Sequence, residues 1–166
     1  MTSDGCAMLA NLQSIRMTKG ISMSAEHNKM IVRQMVEELQ SGHNLDVVDA
    51  LFAANFVDHS VPPGLPPSRE GVKMQFAMFF SAFPDLHVEI HDQVAEGDRV
   101  VTRKTFHGTH QGNLFGIPPT DRSVAFDVID ILCVQNGKIT DHWNVVDQLG
   151  LMYQIGAIPV PEQTNA

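Results

Sequence analysis

The sequence predicts an α+β fold: a curved, mostly antiparallel sheet, about three N-terminal helices lying over it, and a pocket between the layers. Three observations lead there. Apolar residues recur at helical spacing through the first half of the chain, and the period switches to alternation near residue 86. The dipeptide Asn136-Gly137, a strong hairpin signal, joins the last two apolar runs.

The helices come first. Residues 25–41 carry Met30, Ile31, Gln34, Met35 and Leu39 as a helical stripe, with Ser24 placed to cap the start and Gly42 to end it. A shorter helix fits residues 45–53, with Asn44 as its N-cap and Val47, Val48, Leu51 and Phe52 toward the core. NFVDHS reads as a short edge strand. Residues 61–69, VPPGLPPSR, are too rich in proline for regular structure and form a stiff, lid-like loop. A third helix covers residues 70–83 and stops at Pro84. Strands follow over residues 86–94 and 98–107, with Glu96-Gly97-Asp98 at the turn between them. A Gly- and Pro-rich connection spans residues 108–122. SVAFDVIDILCVQ and KITDHWNVVD then form the closing hairpin, and LGLMYQIG a final helical turn. With no internal repeat or low-complexity linker, one domain is expected over residues 23–158, flanked by tails at 1–22 and 159–166.

Composition narrows the partners. The 166 residues suffice for one hydrophobic core, and 11 basic against 19 acidic residues give a charge of -8 that repels a phosphate backbone. Cys6 and Cys133 make neither a disulfide framework nor a zinc pattern, which suits a reducing cytoplasm. No apolar run is long enough to span a bilayer, and the first residues lack the basic-then-apolar order of a secretory signal. The expected partner is a small apolar molecule, with no nucleic acid and no membrane.

Alternation in the last strand puts Trp143, Val145 and Asp147 on one face and His142, Asn144 and Val146 on the other. The aromatic and the aliphatic assign the first face to the interior. Two readings of Asp147 then stand: a desolvated carboxylate with a raised pKa, suited to proton transfer, or a cap for the segment beginning at Leu149. In FDVIDIL, Asp127 and Asp130 point to opposite faces, so one enters a polar pocket and the other faces water or an oligomer interface. If Asn136-Gly137 is a two-residue loop, Gln135 pairs with Lys138. Counting on, Asp130 opposes Trp143 and Asp127 opposes Val146. Opposed residues share a face, so Asp130 joins Trp143 and Asp147 as the second carboxylate. His59 sits at a strand rim, where it either orients a proton or faces solvent. Arg103 shares a face with Val101, Thr105 and His107 and either steadies an oxyanion or is exposed. His110 either reaches the pocket mouth or bonds within a turn. Phe56, Phe79, Trp143 and Val145 are candidate apolar lining. The histidines at 87, 91, 107 and 110 have no Cys or HExxH context, and GxGxxG, Walker and GxSxG motifs are absent, so no metal or cofactor is expected.

The runs NLDVVDALFAANFVDH, AFPDLH, AEGDRVVTR, GTHQGNLFGIPPT and GKITDHWNVVDQLGLMYQIG, in this order over residues 25–158, resemble the SnoaL-like polyketide cyclases of the NTF2-like superfamily. The resemblance implies a cone-shaped barrel, assembly as a homodimer or higher homo-oligomer, and ring closure of a polyketide ester by intramolecular aldol condensation with acid/base residues and no cofactor. It implies that Asp147 is the general acid/base, that His59 lines the pocket, and that Trp143, Arg103 and His110 are pocket or near-pocket residues. The chain departs from the family pattern at Asp121, Cys133 and Asp141, where Gly, Arg and Glu are common. The competing expectation is a module that binds a small molecule in the same pocket without turning it over.

Overall fold

A computed structural model describes residues 24–161; residues 1–23 and 162–166, which contain the expected N-terminal tail and most of the C-terminal one, lie outside the described residues. Helix α1 (Ala25–Met35) starts where Ser24 caps it, its side chain accepting the His27 N–H, and runs on as a wider π-helical stretch over Val36–Ser41. The buried stripe is Ile31, Val32, Met35, Val36 and Leu39. Met30, 59% exposed, and Gln34 face outward. The stripe is therefore turned from the expected one, because Val32 and Val36 extend the apolar surface that Gln34 would interrupt. The wide last stretch brings Gln40 inside beside Leu39. Helix α2 (Val47–Leu51) follows, with Asn44 Oδ1 accepting the Asp46 N–H at its start.

The remaining elements are β1 (Phe52–Asp58), α3 (Arg69–Ala82), β2 (His87–Glu96), β3 (Arg99–Thr109), β4 (Ser123–Gln135), β5 (Lys138–Val146) and α4 (Gln148–Gln154). The curved sheet has the order β1-β5-β4-β3-β2, antiparallel throughout except that β1 runs parallel to β5. It does not close into a barrel: β1 and β2 remain its edges. One core cluster packs Val32, Leu39, Val48 and Phe52 against Val100, Leu132 and Ile139. A second gathers Phe83, Phe106, Leu114, Phe126, Leu151 and Ile155.

One detail of the sheet decides which side chains enter. Gln135 pairs with Lys138 and Val134 with Ile139, as a two-residue loop requires. Cys133 then pairs with Asp141, Leu132 with His142 and Asp130 with Asn144. Thr140 is an extra residue, a β-bulge, and beyond it the pairing has slipped by one. A slip of one residue exchanges the two faces of a strand. The expected pairing of Asp130 with Trp143 and of Asp127 with Val146 is corrected accordingly.

The 108–122 connection is anchored. Gln111 and Gly112 donate backbone N–H groups to Ala82 O, and a Cβ on Gly112 would lie 2.0 Å from Ser81 O, so only glycine fits this approach. Leu114 fills the second cluster from this segment and is fully buried. Replacing Leu114 with Ala is expected to lower unfolding free energy by about 2–5 kcal/mol, the range for a buried leucine rather than for a loop residue. Urea denaturation monitored by circular dichroism measures it.

Candidate active site

Between the two clusters lies a cavity of about 70 Å³ with apolar walls that include Phe52, Phe76, Phe106 and Val128. It leads into a wider outer cavity of about 480 Å³, bordered by Val61, Pro62, Pro63 and Phe115. Gln75, Phe79, Phe126, Asn144 and Val146 line both and form the neck between them. Among the described residues, charged ones line only the inner part: Asp58 from β1, Lys104 from β3, Asp130 from β4 and His142 from β5.

These four form a chain. Lys104 Nζ donates to Asp130 Oδ2 and, at 2.9 Å, to Gln40 Oε1. His142 Nε2 lies 3.3 Å from Asp130 Oδ1, and its Nδ1 lies 3.2 Å from Asp58 Oδ1. Asp58 Oδ1 also accepts the Ser60 N–H at 2.9 Å. Lys104 is wholly buried, and Asp58 and Asp130 nearly so. Single charges in such a place are strongly disfavoured; alternating charges with shared hydrogen bonds are tolerated. Burial opposes the charged form of Asp130, but the Lys104 charge and the bond from His142 outweigh it and bring its pKa down to about 2. Burial likewise opposes charge on His142, yet its bonds to Asp130 and Asp58 push it up to about 9. The ring therefore carries protons on both nitrogens at neutral pH.

Of the expected site residues, Asp130 and Phe79 line the pocket. The expected inward face of β5 is reversed by the Thr140 bulge: His142, Asn144 and Val146 line the cavity, whereas Val145 is 74% exposed. Trp143 stacks on His59 with ring centroids 4.4 Å apart and lies beneath the Arg99 guanidinium, away from the cavity lining. His59 itself is exposed and bonds Asp141 Oδ1 at 2.9 Å. Asp147 is exposed and caps α4 by accepting the Gly150 N–H at 2.9 Å, so of its two readings the cap describes its position. A Cβ on Gly150 would lie 2.1 Å from Asp147 Oδ2; the glycine leaves room for the carboxylate to fold over the helix start. Arg103 is exposed in an ion pair with Asp92. His110 is buried in the connection, its Nδ1 3.0 Å from Thr120 Oγ1, and does not line the cavity. Phe56 belongs to the first core cluster. Asp127 faces outward and accepts from Thr105 Oγ1.

Asp58, Lys104 and His142 escaped the sequence reading, although each adjoins a residue that it singled out. The available signal was Lys104. Thr102 pairs with Asp130 and Lys104 with Val128, so Lys104 shares the face of the Phe126-Val128-Asp130-Leu132 set. A lysine and an aspartate on one apolar face predict a buried ion pair. Among the described residues, no group of three or more His, Cys, Asp or Glu is placed to hold a metal ion, and no helix is long and apolar enough to cross a membrane.

Residues 30–155 match the family model described as SnoaL-like polyketide cyclase. The aklanonic acid methyl ester cyclase DnrD of Streptomyces peucetius is 28% identical over 137 residues, covering 80% of this chain and 93% of its own. The aklanonic acid methyl ester cyclase DauD of a Streptomyces species is 30% identical over 141 residues, covering 80% and 84%. Among solved structures, TsrD from Streptomyces laurentii superimposes with a TM-score of 0.75 at 26% identity, covering 82% of this chain and 99% of its own.

The ion chain makes stability depend on pH in a stated direction. His142 is raised from 6.5 to about 9, so its contribution is complete below about pH 6.5 and is lost as pH rises through 9. Asp130 is lowered from 3.8 to about 2, so its contribution is complete above about pH 4 and is lost as pH falls through 2. Urea midpoints are expected to decline from about pH 6 to about pH 10, and His142→Gln is expected to flatten that decline.

Proposed function

The chain belongs to the SnoaL-like polyketide cyclase family, and from that premise we propose that it closes a ring in a small, apolar polyketide-type ester by acid/base catalysis in the inner cavity. The observation that carries the reading is the set of buried ionised groups in a small apolar chamber. Asp58 is the base: both of its hydrogen bonds use Oδ1, which leaves Oδ2 to take a proton alpha to a carbonyl. Lys104 spends two N–H groups on Asp130 and Gln40 and offers the third to the enolate oxygen. The enolate carbon then adds to a second carbonyl of the same molecule. The new alkoxide takes back the proton held by Asp58, so the aldol step is balanced without a cofactor. Asp130 and His142 hold the two reacting groups in place. The role expected of Asp147 passes to Asp58, because a solvent-facing cap gains nothing from a dry site. The neutral mouth and the small chamber suit an uncharged ester carbonyl entering first, with the apolar body left in the outer cavity.

A second reading, a binding module without turnover, is favoured by one feature. The four charges compensate each other, and both His142 nitrogens are already bonded. The two readings separate on polyketide-type methyl esters. Cyclisation is followed by the change in ultraviolet absorbance and by mass spectrometry of the product. Asp58→Asn and Lys104→Met are each expected to lower kcat by roughly 10²–10⁴-fold, and Asp147→Asn to leave it within about twofold. Binding of the esters by the wild-type protein with no product formed selects the second reading.

The proposed assembly is a homodimer through the outer sheet face. Val94, Val101, Ile131 and Trp143 pair in one row across four strands, and Ile129 and Val145 pair in the next. Val94, Ile129, Ile131 and Val145 are exposed, an apolar surface of the kind that marks an interface. Sedimentation velocity is expected to give a dimer for the wild type and a monomer for Ile129→Asp.

A further inference from the structure

We propose that His59, on the outer face of the sheet, is a positioning residue: it clasps edge strand β1 onto β5 and so sets Asp58 against His142 on the inner face. Its meaning for catalysis rests on the reading of Asp58 given above; the clasp itself does not.

Strand β1 is an edge strand, paired on one side only. Its parallel pairing with β5 joins Phe52 to Ile139, loses register, and resumes only at Val57 with Asp141 and Asp58 with His142. The Asp58 N–H turns away from β5 to Pro67 O at 3.3 Å. Beyond this short paired stretch, the next two residues add to the hold on β5. The His59 N–H donates to His142 O at 2.9 Å, and Ser60 Oγ accepts the Asn144 N–H at 3.0 Å. The His59 side chain adds Nε2 to Asp141 Oδ1 at 2.9 Å and a stack on Trp143 that departs from parallel by 2°. Arg99 covers the same indole, its guanidinium carbon 5.2 Å from the ring centroid.

Alternation makes this an inside–outside device. Asp58 and His142 point in, while His59, Asp141 and Trp143 lie on the other side of the same two strands. His142 is faced by Asp130 from β4, itself held by Lys104 from β3, and by Asp58 from β1. Asp130 stands on a central strand, paired on both sides; Asp58 stands on an edge. Its distance to His142 depends on how firmly residues 58–60 are seated.

The test is the titration of the His142 ring, followed by nitrogen-15 NMR in the full chain. With the clasp lost in His59→Ala, Asp58 moves off and the midpoint is expected to fall from about 9 toward the ordinary histidine value. Direct charge loss has the opposite sign, because removing a neighbouring ring that can carry positive charge raises the midpoint or leaves it. His59→Gln keeps an N–H donor for Asp141 and is expected to restore the wild-type value. His59→Phe keeps a ring on Trp143 without the bond to Asp141; it is expected to lower the midpoint and serves where the alanine protein does not fold. An unchanged or raised midpoint in these variants overturns the proposal, as does an equal fall in His87→Ala on the far edge strand. Turnover is read separately on the same proteins. A wild type that binds esters without converting them defeats the reaction proposed above and leaves the NMR result on the clasp standing.

Discussion

The interior depends on a row of alternating charges, Lys104, Asp130, His142 and Asp58, contributed by four of the five strands. No member is tolerable alone at that depth, since an isolated buried ion costs several kcal/mol. Together they tie β3, β4, β5 and β1 by contacts that only one register allows, because shifting any strand by a residue turns its charge to the other face. The row is also what gives an otherwise greasy chamber any chemistry. Phe52, Phe76, Phe106 and Val128 surround the charges with apolar surface, and a low-dielectric surrounding strengthens each electrostatic contact. Structure and proposed reactivity thus draw on the same four side chains.

The route to that chamber is of a different character. Among the described residues, no charged side chain lines the outer cavity, although the chain as a whole carries -8. Proline at 62 and 63 stiffens part of its border, and Phe115 contributes an aromatic ring to the same border. A neutral ligand would pass through without stripping water from an ion at the entrance. It would meet ionised groups only where they are already paired.

The elements were legible in the sequence. The order of helices and strands, the Ser24 cap, the Asn136-Gly137 turn and the single curved sheet all follow from period and turn chemistry. The cavity lining was legible only to within one residue. His59 stood for Asp58, Arg103 for Lys104, Trp143 for His142 and Val145 for Val146. These offsets share a cause, since adjacent strand residues lie on opposite faces and the face expected inside does not line the cavity. Here the outer face bears Trp143, Val145 and Ile129, while the inner one bears a lysine, a histidine and two aspartates. Polarity alone ranks those faces in reverse. Asp147 misled for a local reason: its fit as a cap depends on Gly150, three residues ahead, whose missing side chain makes room for the carboxylate.

The bulge at Thr140 reaches further than its size suggests. It lies two residues from His142, beside a solvent-exposed turn, yet it determines the phase in which the rest of β5 is delivered to the core. The same residues paired without that bulge would present indole and isopropyl groups to the cavity and turn imidazole and carboxamide toward water. The cavity's chemistry is in that sense a matter of counting. The bulge acts as a selector between two alternative linings written on one strand, and a strand of equal length without it need not share this interior even where its residues align.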